Sequence, residues 1–414
     1  MGELTPSARS RAVGSLVAAR AVYAYNWYLI GPIQGAIATG LGVSFGEVSI
    51  FLWAFLVGVG IFQIPAGLLS LRWGARTCSL VGIAIMSVGA VASGLTTSAS
   101  LFFVARFLVG VGSAFFFSPG IGLIARYYQE GGRGFGIGLF NGAFSLGAGA
   151  AVYLTVVLSG ILGWQGALLV AGLAMTLVTA ESGIVLPRLP EPALALSEAM
   201  RRARRVLASR YLWLLALALA GFWAANFAVA QYLVPWAHDE AGMSLGTAGA
   251  LDALLIICPL FGGPLGGILA EKRASPRGLL AFSAGMTGLS VIALPFVPRI
   301  SPWLLWPFAV LNGIASGMSF GILYYMGTLD PVGRGENVPL AVGLINGLQV
   351  LLGAFIVLGL GYYFFGPQQA SSYTEGWLLF GALTIGTLAL LLVLPHPSRA
   401  PTGRETNGAR TEPA

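Results

Sequence analysis

Twelve apolar runs, each near the ~20 residues that carry a helix across hydrocarbon, leave this chain few folds to choose from. They fall at roughly 12–40, 48–70, 77–97, 100–125, 134–160, 165–186, 211–236, 248–270, 278–297, 302–328, 338–365 and 376–394. Inside a bilayer each backbone N–H and C=O must be paired within the protein, and an α-helix does this by itself. Charged residues are 9% of the chain and hydrophobic residues 57%, which is too little charge for a water-facing surface of this size. The expected class is an all-α integral membrane protein with twelve transmembrane helices.

The chain is also written twice. Asn26, Gly42, Ser44, Gly46 and Gly67 recur 200 residues later as Asn226, Gly242, Ser244, Gly246 and Gly267. Gly138-Leu139-x-Asn141-Gly142 recurs 205 residues later as Gly343-Leu344-x-Asn346-Gly347. The repeat predicts two pseudo-symmetric six-helix bundles, residues 1–186 and 211–394, joined by a linker at 187–210 and followed by a disordered tail at 395–414. Fused repeats in a membrane place a binding site between them and let one half rock against the other.

Positive charge sets the expected orientation. Of the 22 Lys and Arg residues, all but Arg20, Arg106 and Arg299 fall in the termini and in alternate loops, on one side of a twelve-span chain. That side is expected to be cytoplasmic, with both termini inside and the chain multi-pass in the plasma (inner) membrane. The net charge of +7 does not make a nucleic-acid face, because the arginines are scattered over short gaps. In the linker, the stretch from Ser197 to Arg210 reads as a basic amphipathic helix. It suits either lipid headgroups or plain solvation. Cys78 and Cys258 lie in or beside apolar runs without spaced partners, so no disulfide, metal site or cofactor is expected. The first run is too long for a cleaved leader and lacks a small-residue cleavage site.

Gly67-Leu68-Leu69-Ser70-Leu71-Arg72-Trp73-Gly74-Ala75-Arg76 follows the second run, and Arg106-Phe107-Leu108-Val109-Gly110-Val111-Gly112 lies in the fourth. With six plus six spans and a basic central loop, these resemble the major facilitator superfamily and its G-x-x-x-D-R-x-G-x-R and R-x-x-x-G-x-G motifs. Leu71 stands where the acid of the first motif belongs; the second copy, from Gly267, keeps an acid at Glu271 but loses the later Gly. The resemblance implies a conformational latch at the cytoplasmic end built on Gly67, Arg72, Gly74, Arg76, Arg106, Gly267 and Glu271. The fifth run lacks the Gly-Pro pair of many drug exporters. The second and eighth lack the Arg that nitrate porters of this fold carry. The stretch from Ala125 to Asn141 is loosely similar to organic-anion-transporting members.

Polar groups inside spans are costly and so mark candidate sites. Arg20, Tyr23, Asn26, Trp27 and Gln34 fall within about 120° of one another on the first helix. Trp223 and Asn226 match on the seventh, with Gln231 a turn beyond. The asparagines fit either a cavity wall or helix–helix packing. Arg20 fits either a carboxylate ligand or snorkelling to the interface. Asn141 and Asn346 head glycine-rich helices and suit wall or packing equally. Asp252 and Glu181 are acids at span ends, candidates for a coupling proton or for simple wetting.

These residues point to a secondary transporter, expected to be monomeric, of a small organic anion such as a carboxylate or sugar acid. It would work by alternating access, with protons as a candidate coupling ion. A drug exporter is the alternative, and a non-transporting sensor a further one. An enzyme is not expected, since no nucleophile–base pair, metal cluster or phosphate loop is visible.

Overall fold

The computed structural model describes residues 5–128, 131–189, 194–272, 275–357, 360, 364 and 373–395. The expected disorder of the tail concerns residues that, Pro395 apart, lie outside this set, as do Arg273 and the far end of the eleventh run.

Among the described residues the chain is helical, with no strand. Span one is α1 (Pro6–Tyr28), interrupted by a 3-10 turn at Gly31–Ile33 and continued by the short α2 (Gln34–Leu41). Spans two to four are α3 (Phe45–Trp73), α4 (Ala75–Leu95) and α5 (Ala99–Tyr127). Spans five and six form one run, α6 (Arg133–Val185), broken at Gly163, whose φ of 73° is a left-handed value that glycine adopts without a Cβ clash. The linker holds α7 (Leu196–Leu207). Span seven is α8 (Arg210–Ala218) and α9 (Ala220–Asp239), and span eight is α10 (Leu245–Ile257) and α11 (Pro259–Lys272). Span nine is α12 (Pro276–Ala293), extended by the short α13 (Val297–Ile300). Spans ten to twelve are α14 (Leu305–Gly327), α15 (Val338–Ile356) and α16 (Tyr373–Leu388).

Among the described residues, ten helical runs are long and apolar enough to cross a membrane. One of them is α6, which Gly163 turns into two spans, and α1 is added to them although its arginines and serines dilute its hydropathy. The twelve-span fold follows. Large apolar side chains such as Val88, Leu101, Leu177, Phe261 and Leu311 are more than half exposed, as lipid contact requires.

The repeated Gly-x-Ser has a mechanical meaning. Gly42 ends α2 in the left-handed region and Ser44 caps α3; Gly242 and Ser244 do the same before α10. Ser44 and Glu47 form a reciprocal capping box, and the backbone hydrogen bond from Ser44 holds the Glu47 carboxyl below its usual range.

The two halves meet along two seams of small residues. On one, Gly134, Gly138 and Gly142 of α6 face Gly267, Gly263 and Leu260 of α11, backbone to backbone. On the other, Gly60 and Gly67 of α3 face Leu351 and the Pro339–Leu340 backbone of α15, while Gly343 and Gly347 of α15 face Gln63. All of these contacts lie between the middle of the spans and the end that carries the basic loops. A methyl group added at most of these glycines would overlap backbone of the other half.

Gly138→Val and Gly263→Val are each expected to lower the melting temperature measured by tryptophan fluorescence, since overpacking of a close seam costs about 1–3 kcal/mol. Gly160→Ala, where an added methyl meets open space, is the control and should not melt earlier than wild type. Wild-type melting of both valine variants would rule out the close seam.

Candidate functional site

Where the seams part, mid-membrane, a cavity opens between the halves with about 1020 Å3 of atom-free space, its mouth included. Span one contributes Arg20, Tyr23, Trp27 and Tyr28; spans four and five contribute Phe117, Asn141, Phe144 and Ser145. The other half supplies Trp223, Asn226 and Phe227 from span seven, with Ser316, Phe320 and Tyr324 from span ten and Asn346 from span eleven. Among the described lining residues Arg20 carries the charge and no acid is present.

Arg20 is 6% exposed and does not reach for the interface. Its guanidinium carbon lies 4.3 Å from the ring centre of Tyr23, 4.4 Å from Phe117, 4.7 Å from Phe144 and 5.3 Å from Phe140. Each such contact is worth about 0.5–1 kcal/mol or more. Four together are of the order of the ~2.5–3.5 kcal/mol that insertion of an arginine costs. Nε and Nη1 of Arg20 and the indole Nε1 of Trp27, also on the wall, are left with no hydrogen-bond partner.

The two asparagines of the repeat part company. Asn226 stands on the cavity wall, its Nδ2 donating to Phe222 O at 2.9 Å and its Oδ1 accepting from Ser316 Oγ at 2.5 Å. Asn26 is fully buried outside the lining, its Nδ2 donating to Val22 O at 3.0 Å. Beside it Arg106, fully buried in span four, donates Nη2 at 2.9 Å to the backbone carbonyl of Asn26. That carbonyl lies in the last turn of α1, where carbonyls lose their helical partners. Gln34 and Gln231 are also absent from the lining; Gln231 is exposed.

Asn141 and Asn346 line the cavity, each set between two seam glycines. Asn141 Nδ2 donates to Ile137 O at 2.9 Å, and Asn346 Oδ1 accepts from the Tyr324 hydroxyl at 2.8 Å. Asp252, in α10, is 6% exposed with Oδ1 unpartnered, and stands outside the lining. Glu181, near the end of α6, is exposed and accepts from Ser15 Oγ at 2.6 Å.

The residues of the two Gly-x-x-x loops gather at the basic end; Arg106 does not join them, because it lies near the opposite end of span four, bound to the far end of α1. Glu271 of α11 accepts from Gly132 N at 2.9 Å and Gly134 N at 3.1 Å, so an acid of one half caps the first turn of α6 in the other. Gly67 packs on Pro339 and Leu340, and Leu71 is buried there without charge. Arg76 stays within its half, donating to Leu186 O and Gly183 O at 2.8 Å each at the end of span six. Arg277 repeats this with Leu394 O at 2.9 Å at the end of span twelve. Gly74 makes the turn into α4 with φ 82°, and Arg72 is exposed.

Sequence reasoning missed Phe117, Phe140, Phe144, Phe320 and Tyr324. Aromatic residues make up 11% of the chain, and nothing local marks which of them converge. The seams had a usable signal, small residues four apart at Gly134, Gly138 and Gly142 and at Gly263 and Gly267.

Known proteins share this plan. The nitrite extrusion protein of Bacillus subtilis (strain 168) is 25% identical over 92% of this chain and 93% of its own length. Monocarboxylate transporter 11 of Homo sapiens is 29% identical over 93% of this chain and 84% of its own. The crystal structure of the transporter FucP in the outward conformation superposes with a TM-score of 0.69 at 17% identity, over 92% of this chain and 98% of that one. The human organic anion transporter MFSD10 gives 0.73 at 16%, over 94% and 100%. The family model of the Major Facilitator Superfamily matches residues 16–357, a stretch that takes in both halves and the cavity between them, and the chain belongs to that superfamily of transporters.

Proposed function

We propose that this transporter carries a small organic anion with a single carboxylate, by alternating access, with the basic end in the cytoplasm. The observation that carries the reading is Arg20: the charge of the cavity, held under four rings with two donors free. A carboxylate can pair with the guanidinium through Nη2 together with either Nε or Nη1, and offsets the remaining desolvation. The unpartnered Trp27 indole adds a third donor, and the aromatic walls suit an apolar body. Nitrite and monocarboxylate, named for two relatives, are both anions. The many rings favour the organic one, as does the lack of Arg within the second and eighth apolar runs, 48–70 and 248–270. The same rings keep the second reading, a hydrophobic-compound exporter, in view. Proton coupling is assigned to Asp252, a buried carboxyl that is expensive as an anion in this setting, and less to the exposed Glu181.

The anchor is tested by equilibrium binding of a monocarboxylate panel to purified protein. Losing one partner of a buried charge-assisted pair costs about 2–5 kcal/mol, so Arg20→Ala should weaken binding at least thirtyfold. Arg20→Lys should restore part of it, because Lys keeps the charge and loses the planar fork. Wild-type affinity in Arg20→Ala, or a cationic best ligand, would turn the assignment to the exporter.

Coupling is read from proteoliposomes. A pH gradient should drive accumulation in the wild type and in Glu181→Gln, while Asp252→Asn should keep exchange and lose accumulation. Full accumulation by Asp252→Asn would remove it as the proton carrier.

Orientation is read from thiol labelling in intact cells. Cysteines at Arg126 and Lys272 should react only after permeabilisation, and one at Ala241 without it. Labelling of either of the first two from outside would invert the topology.

A further inference from the structure

The linker helix α7 sits across the basic end of the molecule. Its inner face, Ala199, Ala203 and Val206, is buried and packs on α3 of one half and α15 of the other. Leu194, just before it, donates its N–H to Leu71 O at the end of span two at 3.3 Å. Arg202 pairs with Glu198 within the helix at 3.2 Å and with Glu336, at the start of span eleven, at 3.0 Å. The Arg202 hydrogen bond holds the Glu198 carboxyl below its usual range.

The outer face is of two kinds. Leu196 and Met200 are 52% and 40% exposed, and with the half-buried Leu207 they lie within about 40° around the helix. Arg204, Arg201 and Arg205 follow on the next flank, all exposed, the last two at 71% and 61% of their side chains. An apolar strip beside a basic strip is the arrangement of a helix lying in the membrane interface. A separate observation sets its depth. Trp213, 40% exposed in the first turns of span seven, donates its indole N–H to Leu207 O in the last turn of α7 at 2.7 Å. Exposed Trp residues at span ends sit at headgroup level, and this one is hydrogen-bonded to the helix in question.

We propose that α7 is a binding surface for anionic phospholipid headgroups, with Leu196 and Met200 in the acyl boundary and Arg201, Arg204 and Arg205 on the phosphates. The ion pairs of Arg201 and Arg205 with Glu198 are exposed and weak, so they do not compete with a charged lipid surface. Because α7 bridges α3 and α15, lipid held there also holds the basic end of one seam.

The test uses the full chain with Met200→Cys carrying an environment-sensitive fluorophore; the native Cys78 and Cys258 are buried. The protein is reconstituted in phosphatidylcholine vesicles with or without phosphatidylglycerol. Each arginine near an anionic surface contributes about a fivefold preference, so phosphatidylglycerol at about 30 mol% should shield the fluorophore from aqueous acrylamide at least fivefold. Arg201→Gln/Arg204→Gln/Arg205→Gln should lose that dependence while melting as the parent does and transporting normally in phosphatidylcholine. Equal quenching in both lipids would overturn the proposal. So would a lipid dependence that survives in the triple variant, or the same shielding by inorganic phosphate without the anionic lipid.

Discussion

Helices surrounded by hydrocarbon gain little by hiding apolar side chains from one another, so backbones that approach closely must hold the bundle together. In this protein that demand falls on glycine. Gly134, Gly138 and Gly142 lie against Gly267, Gly263 and Leu260, and Gly343 and Gly347 lie against Gln63. These seams run from mid-membrane to the basic end, and the cavity begins where they stop. The Asn of each repeated motif sits between two such glycines, so the geometry that closes the seam also turns an amide toward the cavity.

The two arginines inside the spans divide the polar work. Arg106 meets a carbonyl at the end of α1 and fixes how that helix sits. Arg20, nearly two turns earlier on α1, is held by aromatic faces instead, which offset much of the cost of its charge and leave Nε and Nη1 unpartnered. Both leave Nε and Nη1 unpartnered, but Arg106 lies outside the cavity lining, over the Phe55 ring and on a carbonyl, while Arg20 lies on the wall under four rings.

The halves repeat each other in mechanics more faithfully than in chemistry. Helix stops and starts recur at Gly42–Ser44 and Gly242–Ser244, and the caps of Arg76 and Arg277 recur at the ends of spans six and twelve. The latch does not. Glu271 caps α6 across one seam, worth about 1 kcal/mol for a cap of this type. At the other seam Leu71 offers no charge, and α7 spans the gap through Arg202 and Glu336. The asparagines differ likewise, Asn226 on the wall beside Ser316 and Asn26 behind it.

The number of spans, the two-fold repeat and the segregation of charge were all legible in the sequence, because hydrocarbon thickness and backbone pairing act on composition directly. Arg20, Tyr23 and Trp27 were legible as one stripe because helical periodicity is local. Asn26 falls on that stripe by periodicity yet lies off the wall, since a helix's rotation is set by the neighbours it packs against and not by its own spacing. The ring cage of Arg20 draws on spans one, four and five, and the facing Tyr324–Asn346 pair on spans ten and eleven. No spacing along the chain encodes such a meeting; only the packing of the twelve helices brings those side chains to one place.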